Sequence, residues 1–514
     1  MKSTPLSLIA GTVALAAVTG FAALNAPGEA GTPVAKAASR LPVERSSLLC
    51  PSPGGSDLAE TTYTSFTPAG AGDGEAGTAE LKPAVPVAAD DEDAKDAKDA
   101  KDAKDKKDGK KEKTASDKPV LSLKEPGKPV TADTSASDAP ALIGTATGRQ
   151  APGWAAQQTT VVSAGSARGL LGVSCGAPDT DFWFPGASTA EKRQDYIHLT
   201  NPDDDAAVAD IELYGPEGSL TSDVGDGITV PPRSSVPLLL STLTGDAVDD
   251  VTVHVTTREG RVGAAVKVAE EEAGSDWLTA SADPTGTLVM PGIPADATSV
   301  RLVAFAPGED DADVKVQLLG KNAPFSPAGN DTLHIKSHMT ASVDLKDVTR
   351  GEPGSLRLSP VAGKATPVVA ALRVVRGSGD KQEIAYIPAT EPVGGRAGVA
   401  DNRAKSSVLS LTAPGATAEV KVTASAGSEG GEQTVKTYTV KGGTTLDVTP
   451  EEPSGLKGSY ALTVETESGG PVHAARTLTV SKGGVKTFTV QTLPNDGGTV
   501  DVPTVTQDLS VLED

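Results

Sequence analysis

Apolar and polar residues alternate over short runs along most of this chain. Ala209-Asp-Ile-Glu-Leu213, Asp313-Val-Lys-Val-Gln-Leu318 and Glu419-Val-Lys-Val-Thr423 each send every second side chain to one face, the period of a half-buried strand. Shorter alternating pieces follow at Ile228-Thr-Val230, Val251-Thr-Val-His-Val255, Leu333-His-Ile335, Thr477-Leu-Thr-Val480 and Lys486-Thr-Phe-Thr-Val490. Gly and Pro punctuate the runs, and no helical period emerges. Roughly six or seven short strands per hundred residues predict antiparallel sandwiches.

The pattern also repeats. Turn prolines stand at Pro202, Pro307 and Pro414, 105 and 107 residues apart, and Ala-Ala pairs open at Ala264, Ala370 and Ala474, 106 and 104 apart. Phe184-Pro185-Gly186 returns as Met290-Pro291-Gly292 and, more loosely, as Ile387-Pro388-Ala389. A fixed period of this length marks a repeat architecture. Each proline turn precedes an alternating strand, which predicts a hairpin across it. The expected fold is all-β, with three tandem immunoglobulin-like β-sandwiches at 181–283, 284–390 and 391–514, the last including a C-terminal tail.

Residues 38–180 read as a β-rich N-terminal domain unlike the repeats, with strand-like pieces at Glu60-Thr-Thr-Tyr-Thr-Ser-Phe66, Val120-Leu-Ser-Leu123 and Thr159-Thr-Val-Val-Ser163. Within it, Asp90 to Lys113 holds ten acidic and nine basic residues in 24. Its Ala-Lys-Asp period of three keeps no helical face and no apolar stripe, so the stretch 88–118 is expected to be a disordered charged insert. Ahead of it all, Lys2 and the uncharged apolar run Leu6–Leu24 precede a small-residue site at Ala35-Lys36-Ala37. That is the layout of an export signal over residues 1–37, with an uncleaved anchor as its rival.

Export gives the two cysteines, Cys50 and Cys175, an oxidising compartment, where two lone thiols most simply pair. The bond would close the N-terminal domain and make the charged stretch a loop extruded from it. The net charge of −22 argues against nucleic acid and anionic lipid surfaces as partners.

Chemistry is sparse. No nucleophile elbow, zinc-protease helix or phosphate-cradling loop is present. His334 and His338 sit in or beside an alternating strand, too far apart to share a metal ion. His198 and His254 fall on the polar phase of their strands and are expected to face solvent. His473 replaces Gly263 and Val369 of the sister repeats, so the repeated fold does not require it. The acidic turns Asp203–Asp205 and Glu309–Asp313 have no counterpart at Pro414, and read as solvated turns that keep sheet edges apart. Aromatics are only 3% of residues, so a sugar-stacking face has one candidate, Phe182-Trp183-Phe184. Its plainer reading is a buried plug between the N-terminal domain and the first repeat.

Several motifs are shared with a known family. Arg40-Leu-Pro-Val-Glu-Arg-Ser-Ser-Leu-Leu-Cys50-Pro, Gly172-Val-Ser-Cys175, Asp181-Phe-Trp-Phe-Pro-Gly186 and Leu199-Thr-Asn-Pro202 resemble an exported actinobacterial family, domain of unknown function 5719. The resemblance covers most of the chain outside the charged stretch and implies no activity. The expected role is an exported cell-envelope scaffold or protein-interaction protein. It would have no catalysis, cofactor or metal, and its partners would be envelope proteins. The alternative is a protein that binds cell-wall glycan through the aromatic run. A rod of sandwiches would favour a spacer, and a cleft lined by Phe182–Phe184 would favour ligand binding.

Overall fold

A computed structural model describes residues 39–70, 75–86, 118–165, 167–222, 224–361, 365–482 and 485–503. The export signal (1–37) lies outside the described residues, as does nearly all of the charged insert (88–118). The chain divides into two units: Pro42–Thr499, which holds every sandwich, and the terminal segments Met1–Leu41 with Val500–Asp514. Ser39–Pro42 and Thr499–Val502 pair as a two-stranded sheet.

Pro42–Thr499 contains four sandwiches, each of two sheets that share a common set of four strands; three of the eight sheets carry a fifth. In the second, Asp181–Ala187, Val251–Glu259, Ala207–Gly215 and Ile228–Val230 form one sheet. Ser234–Leu239, Tyr196–Thr200, Gly263–Glu270 and Gly274–Leu278 form the other. By position in the chain, the strand orders are first-sixth-third-fourth and fifth-second-seventh-eighth. The third and fourth sandwiches, from Leu288–Ile293 to Glu383–Pro388 and from Ala397–Asn402 to Val485–Thr492, repeat both orders.

The N-terminal region repeats them too. Arg45–Cys50, Leu142–Thr147, Ala79–Pro83 and Leu121–Leu123 make its first sheet, and Val130–Thr134, Ala59–Phe66, Ala155–Val162 and Gly169–Ser174 its second. It is a fourth copy, where a different domain was expected. Pro68 follows its second strand as Pro202 follows Tyr196–Thr200, and Ala155-Ala156 opens its seventh. The charged insert enters between its third and fourth strands and stretches the proline spacing to 134 residues.

Two further expectations change. The strands on either side of each proline turn do not form a hairpin. Tyr196–Thr200 pairs with the fifth and seventh strands, while Ala207–Gly215 pairs in the opposite sheet. The turn therefore carries the chain between layers. Ile387-Pro388-Ala389 is also no counterpart of Phe184-Pro185-Gly186, because it ends the last strand of the third sandwich. The register shifts in the first strands fall at Pro185/Ala187, Met290/Ile293 and Val399/Asn402, so Ala400-Asp401 holds that place in the fourth sandwich.

The four sandwiches close on themselves. Gly169–Ser174 packs beside Gly274–Leu278, which packs beside Glu383–Pro388, then Val485–Thr492, then Gly169–Ser174 again. The first strands of the second and third sandwiches lie on the second sheet of the next, that of the fourth lies on Ala155–Val162 and Ala59–Phe66 of the first, and Leu49 of the first reaches Gly263 of the second. The second sheets are therefore covered on both faces. Gly274–Leu278 and Glu383–Pro388 are buried at every position, whereas Ala207–Gly215 and Ala418–Ala424 alternate because one face meets water. The Ala-Ala pairs sit where two layers meet. Ala370 and Ala474 join their own cores, while Ala371 packs with the core of the second sandwich and Ala475 with that of the third. A larger side chain there would hold the neighbouring strand away.

Candidate functional site

Where the four last strands meet, polar groups converge. Asp276, from Gly274–Leu278, is 1% exposed. Its carboxylate accepts the Gly172 N–H at 3.1 Å and the Thr489 hydroxyl at 3.0 Å. The Tyr386 N–H adds a further bond, so this one side chain touches all three other sandwiches. Burial pushes its carboxyl well above the usual range, and the Trp277, Gly172, Thr489 and Tyr386 bonds only partly offset that. Arg168 of the first sandwich pairs with Glu383 of the third at 2.6 Å, and Arg373 of the third with Glu270 of the second at 2.6 Å.

Beside this hub lies a cavity of about 560 Å³ lined by all four sandwiches. Leu49, Gln157 and Cys175 come from the first, His198 and Trp277 from the second, Thr390 from the third and Gln491 from the fourth. Cys50 and Cys175 are joined in a disulfide, with Cα atoms 4.5 Å apart. It ties the first strand of the first sandwich to the residue after its last strand, and Cys175 forms part of the cavity wall.

The aromatic run divides three ways. Phe182 lines the cavity. Trp183 is 8% exposed, stacks on His254 at 3.6 Å between ring centroids and meets Phe305 of the third sandwich at 5.5 Å. Phe184 lies in the core of the second sandwich. Trp183 is thus a plug between the second and third sandwiches, where a plug against the N-terminal domain was expected. Alternation along the strand sends 182 and 184 one way and 183 the other, so no continuous stacking face results.

The histidines correct the sequence reading in two places. His198 is 5% exposed and packs edge-on against Trp277. Burial, aided by Lys267, drops its imidazole to about 3. His254, expected in solvent, is covered by Trp183, and its Nδ1 lies 3.0 Å from Glu212. Both sit on the phase that faces solvent in an isolated sandwich, and here that face meets a neighbour. His473 is buried with its Nδ1 3.0 Å from the Thr390 carbonyl, and burial lowers it to about 4. His334 Nδ1 lies 2.9 Å from Asp313, and His338 is 3.6 Å from Glu309. In the other acidic turn, Asp203 pairs with Arg261 and Asp204 with Arg233.

Sequence reasoning missed Asp276 and Asp401. Asp401, in the bulge of the fourth sandwich, reaches into the first: it accepts from the Thr159 hydroxyl at 2.7 Å and donates its own N–H to Gln157. Burial opposes its charge, but Arg403 and Arg476 hold its carboxyl below the usual range. The one signal for this contact was the failure of the Pro-Gly marker at that place.

The profile of a family of unknown function (DUF5719) matches residues 130–451, from the first residue of Val130–Thr134 to just past Thr444–Val448 of the fourth sandwich. No curated protein matches the chain.

Proposed function

The chain therefore belongs to DUF5719, a family of unknown function, and we propose that it is an exported, non-catalytic interaction scaffold of the cell envelope. The observation that carries this reading is the closure of four sandwiches on one another. Sheets covered on both faces make a stiff frame, and polar contacts repeated at two of its seams hold the frame itself. Thr340 bonds to Thr252 and to the Tyr214 carbonyl; Thr445 bonds in the same way to Ser355 and to the Leu319 carbonyl. These groups are spent on assembly. What the frame offers a partner is its outer edges, its loops and the charged insert.

Export rests on the apolar run Leu6–Leu24 and agrees with the Cys50–Cys175 bond. A glycan-binding role through Phe182, Trp183 and Phe184 has less support, because Trp183 is buried between two sandwiches. Chemical cross-linking in the intact envelope is expected to trap the protein in a stoichiometric complex with one envelope protein. Recovery as an uncross-linked monomer alone, or release of soluble fragments from purified cell wall, overturns the reading.

A further inference from the structure

The cavity at the meeting of the last strands has a repeated chemical feature that the sequence markers do not reveal. Each sandwich leaves its last strand through a short linker, and each linker brings an acid to the cavity wall: Asp179, Asp283, Glu391 and Asp496. They follow Gly169–Ser174, Gly274–Leu278, Glu383–Pro388 and Val485–Thr492 by three to five residues. Asp181 adds a fifth carboxylate, and among the described residues no lysine or arginine lines the wall. Asp496 is paired with Arg396; Asp179, Asp283 and Glu391 stand exposed. A cavity lined by one sign of charge between low-dielectric walls concentrates the opposite charge.

The volume, about 560 Å³, falls within the roughly 300–1,000 Å³ of small-molecule pockets. A bare metal ion is a poor match, since among the described residues no three acids, histidines or cysteines are grouped to hold one. Four residues of the wall also carry a buried polar atom with no hydrogen-bond partner among the described residues: His198 Nδ1, Trp277 Nε1, Ser281 Oγ and Gln491 Oε1. Buried polar atoms normally have partners, and here four that lack one belong to residues lining a single cavity. His198 stays neutral down to about pH 3, so it adds no opposing charge.

We propose that this cavity binds a small organic ammonium compound that also carries hydroxyl groups, its charge held by the linker carboxylates and its hydroxyls by the polar wall. Three probes of one size separate the contributions: glucosamine, glucose and glucuronate. Titration of the full chain, followed by calorimetry at low salt, is expected to show saturable glucosamine binding, weakened roughly tenfold for glucose and undetectable for glucuronate. The double variant Asp283→Asn with Glu391→Gln changes two exposed side chains and should keep the wild-type melting temperature. It should also weaken glucosamine binding by roughly tenfold and flatten its salt dependence. No saturable glucosamine binding, equal binding of glucuronate, or unchanged affinity in the double variant overturns the proposal.

Discussion

The Thr489 hydroxyl lies 3.0 and 3.1 Å from the two oxygens of Asp276, although 213 residues separate them in the chain. It ties the last strand of the fourth sandwich to that of the second across the centre of the assembly. Its acceptor is a carboxylate that no cation among the described residues pairs with, raised well above the ordinary range by burial. A group whose folded-state value is raised contributes stability that is present below its unfolded value of about 3.9 and lost as pH rises through the folded one. Wild-type stability should therefore decline with rising pH, by up to about 1.4 kcal/mol per unit from this residue, and Asp276→Asn should remove that part of the slope. Melting temperatures of both proteins between pH 4 and 8 test this; parallel profiles would show that Asp276 does not carry the effect.

A second prediction concerns the tips of the first strands. Gly292 has φ of 86°, and a Cβ there would stand 2.8 Å from that of Ala475 in the next sandwich. Gly227 has a similar φ of 66°, with nothing among the described residues within 4 Å of a Cβ there. Gly227→Ala should cost about 1–2 kcal/mol, the backbone penalty alone. Gly292→Ala should cost roughly 2–5 kcal/mol, since overpacking adds to it. Equal losses in denaturant unfolding would mean that the contact between the third and fourth sandwiches yields freely.

Trp183 fills the space between His254 and Phe305. Trp183→Ala should lower stability by about 3–5 kcal/mol and leave retention on purified cell wall as it was. A variant with wild-type melting behaviour and reduced retention would restore the stacking-face interpretation.

The insert offers a test of modularity. Ala79–Pro83 pairs directly with Leu121–Leu123, Leu81 opposite Leu121, so the strands on either side of it meet without its help. Replacing residues 88–118 by six Gly and Ser residues should leave the fold intact and raise stability by about 1 kcal/mol through cheaper loop closure. Thermal unfolding and the circular dichroism spectrum check it; a loss of cooperative melting would assign the segment a structural part.

The legible elements were those with one wet face. Ala207–Gly215, Ala312–Leu319 and Ala418–Ala424 alternate in burial as in sequence. Val369–Arg376 and Glu383–Pro388 carry no such pattern, because both their faces are covered. The fourth copy was hidden by length. Pro68 and Ala155-Ala156 are present in the chain, but the charged insert breaks their period. Asp276 was invisible for a different reason: a carboxylate whose partners sit on three other sandwiches leaves no local trace. The same is true of the cavity acids, which share a place in space and only a loose offset in sequence.

Closure of the fourth sandwich on the first sets the order in which the chain can mature. Thr159 waits for Asp401, and Val161 and Leu170 wait for Leu478. Until the fourth sandwich has been made and has docked, the first sandwich presents an unfinished apolar sheet to its surroundings. Strand surfaces left open in this way are prone to wrong associations. A nascent or truncated chain would therefore be recognised as incomplete by any protease or holdase that reads exposed β-surface. Quality control of the whole molecule is written into its fourth sandwich.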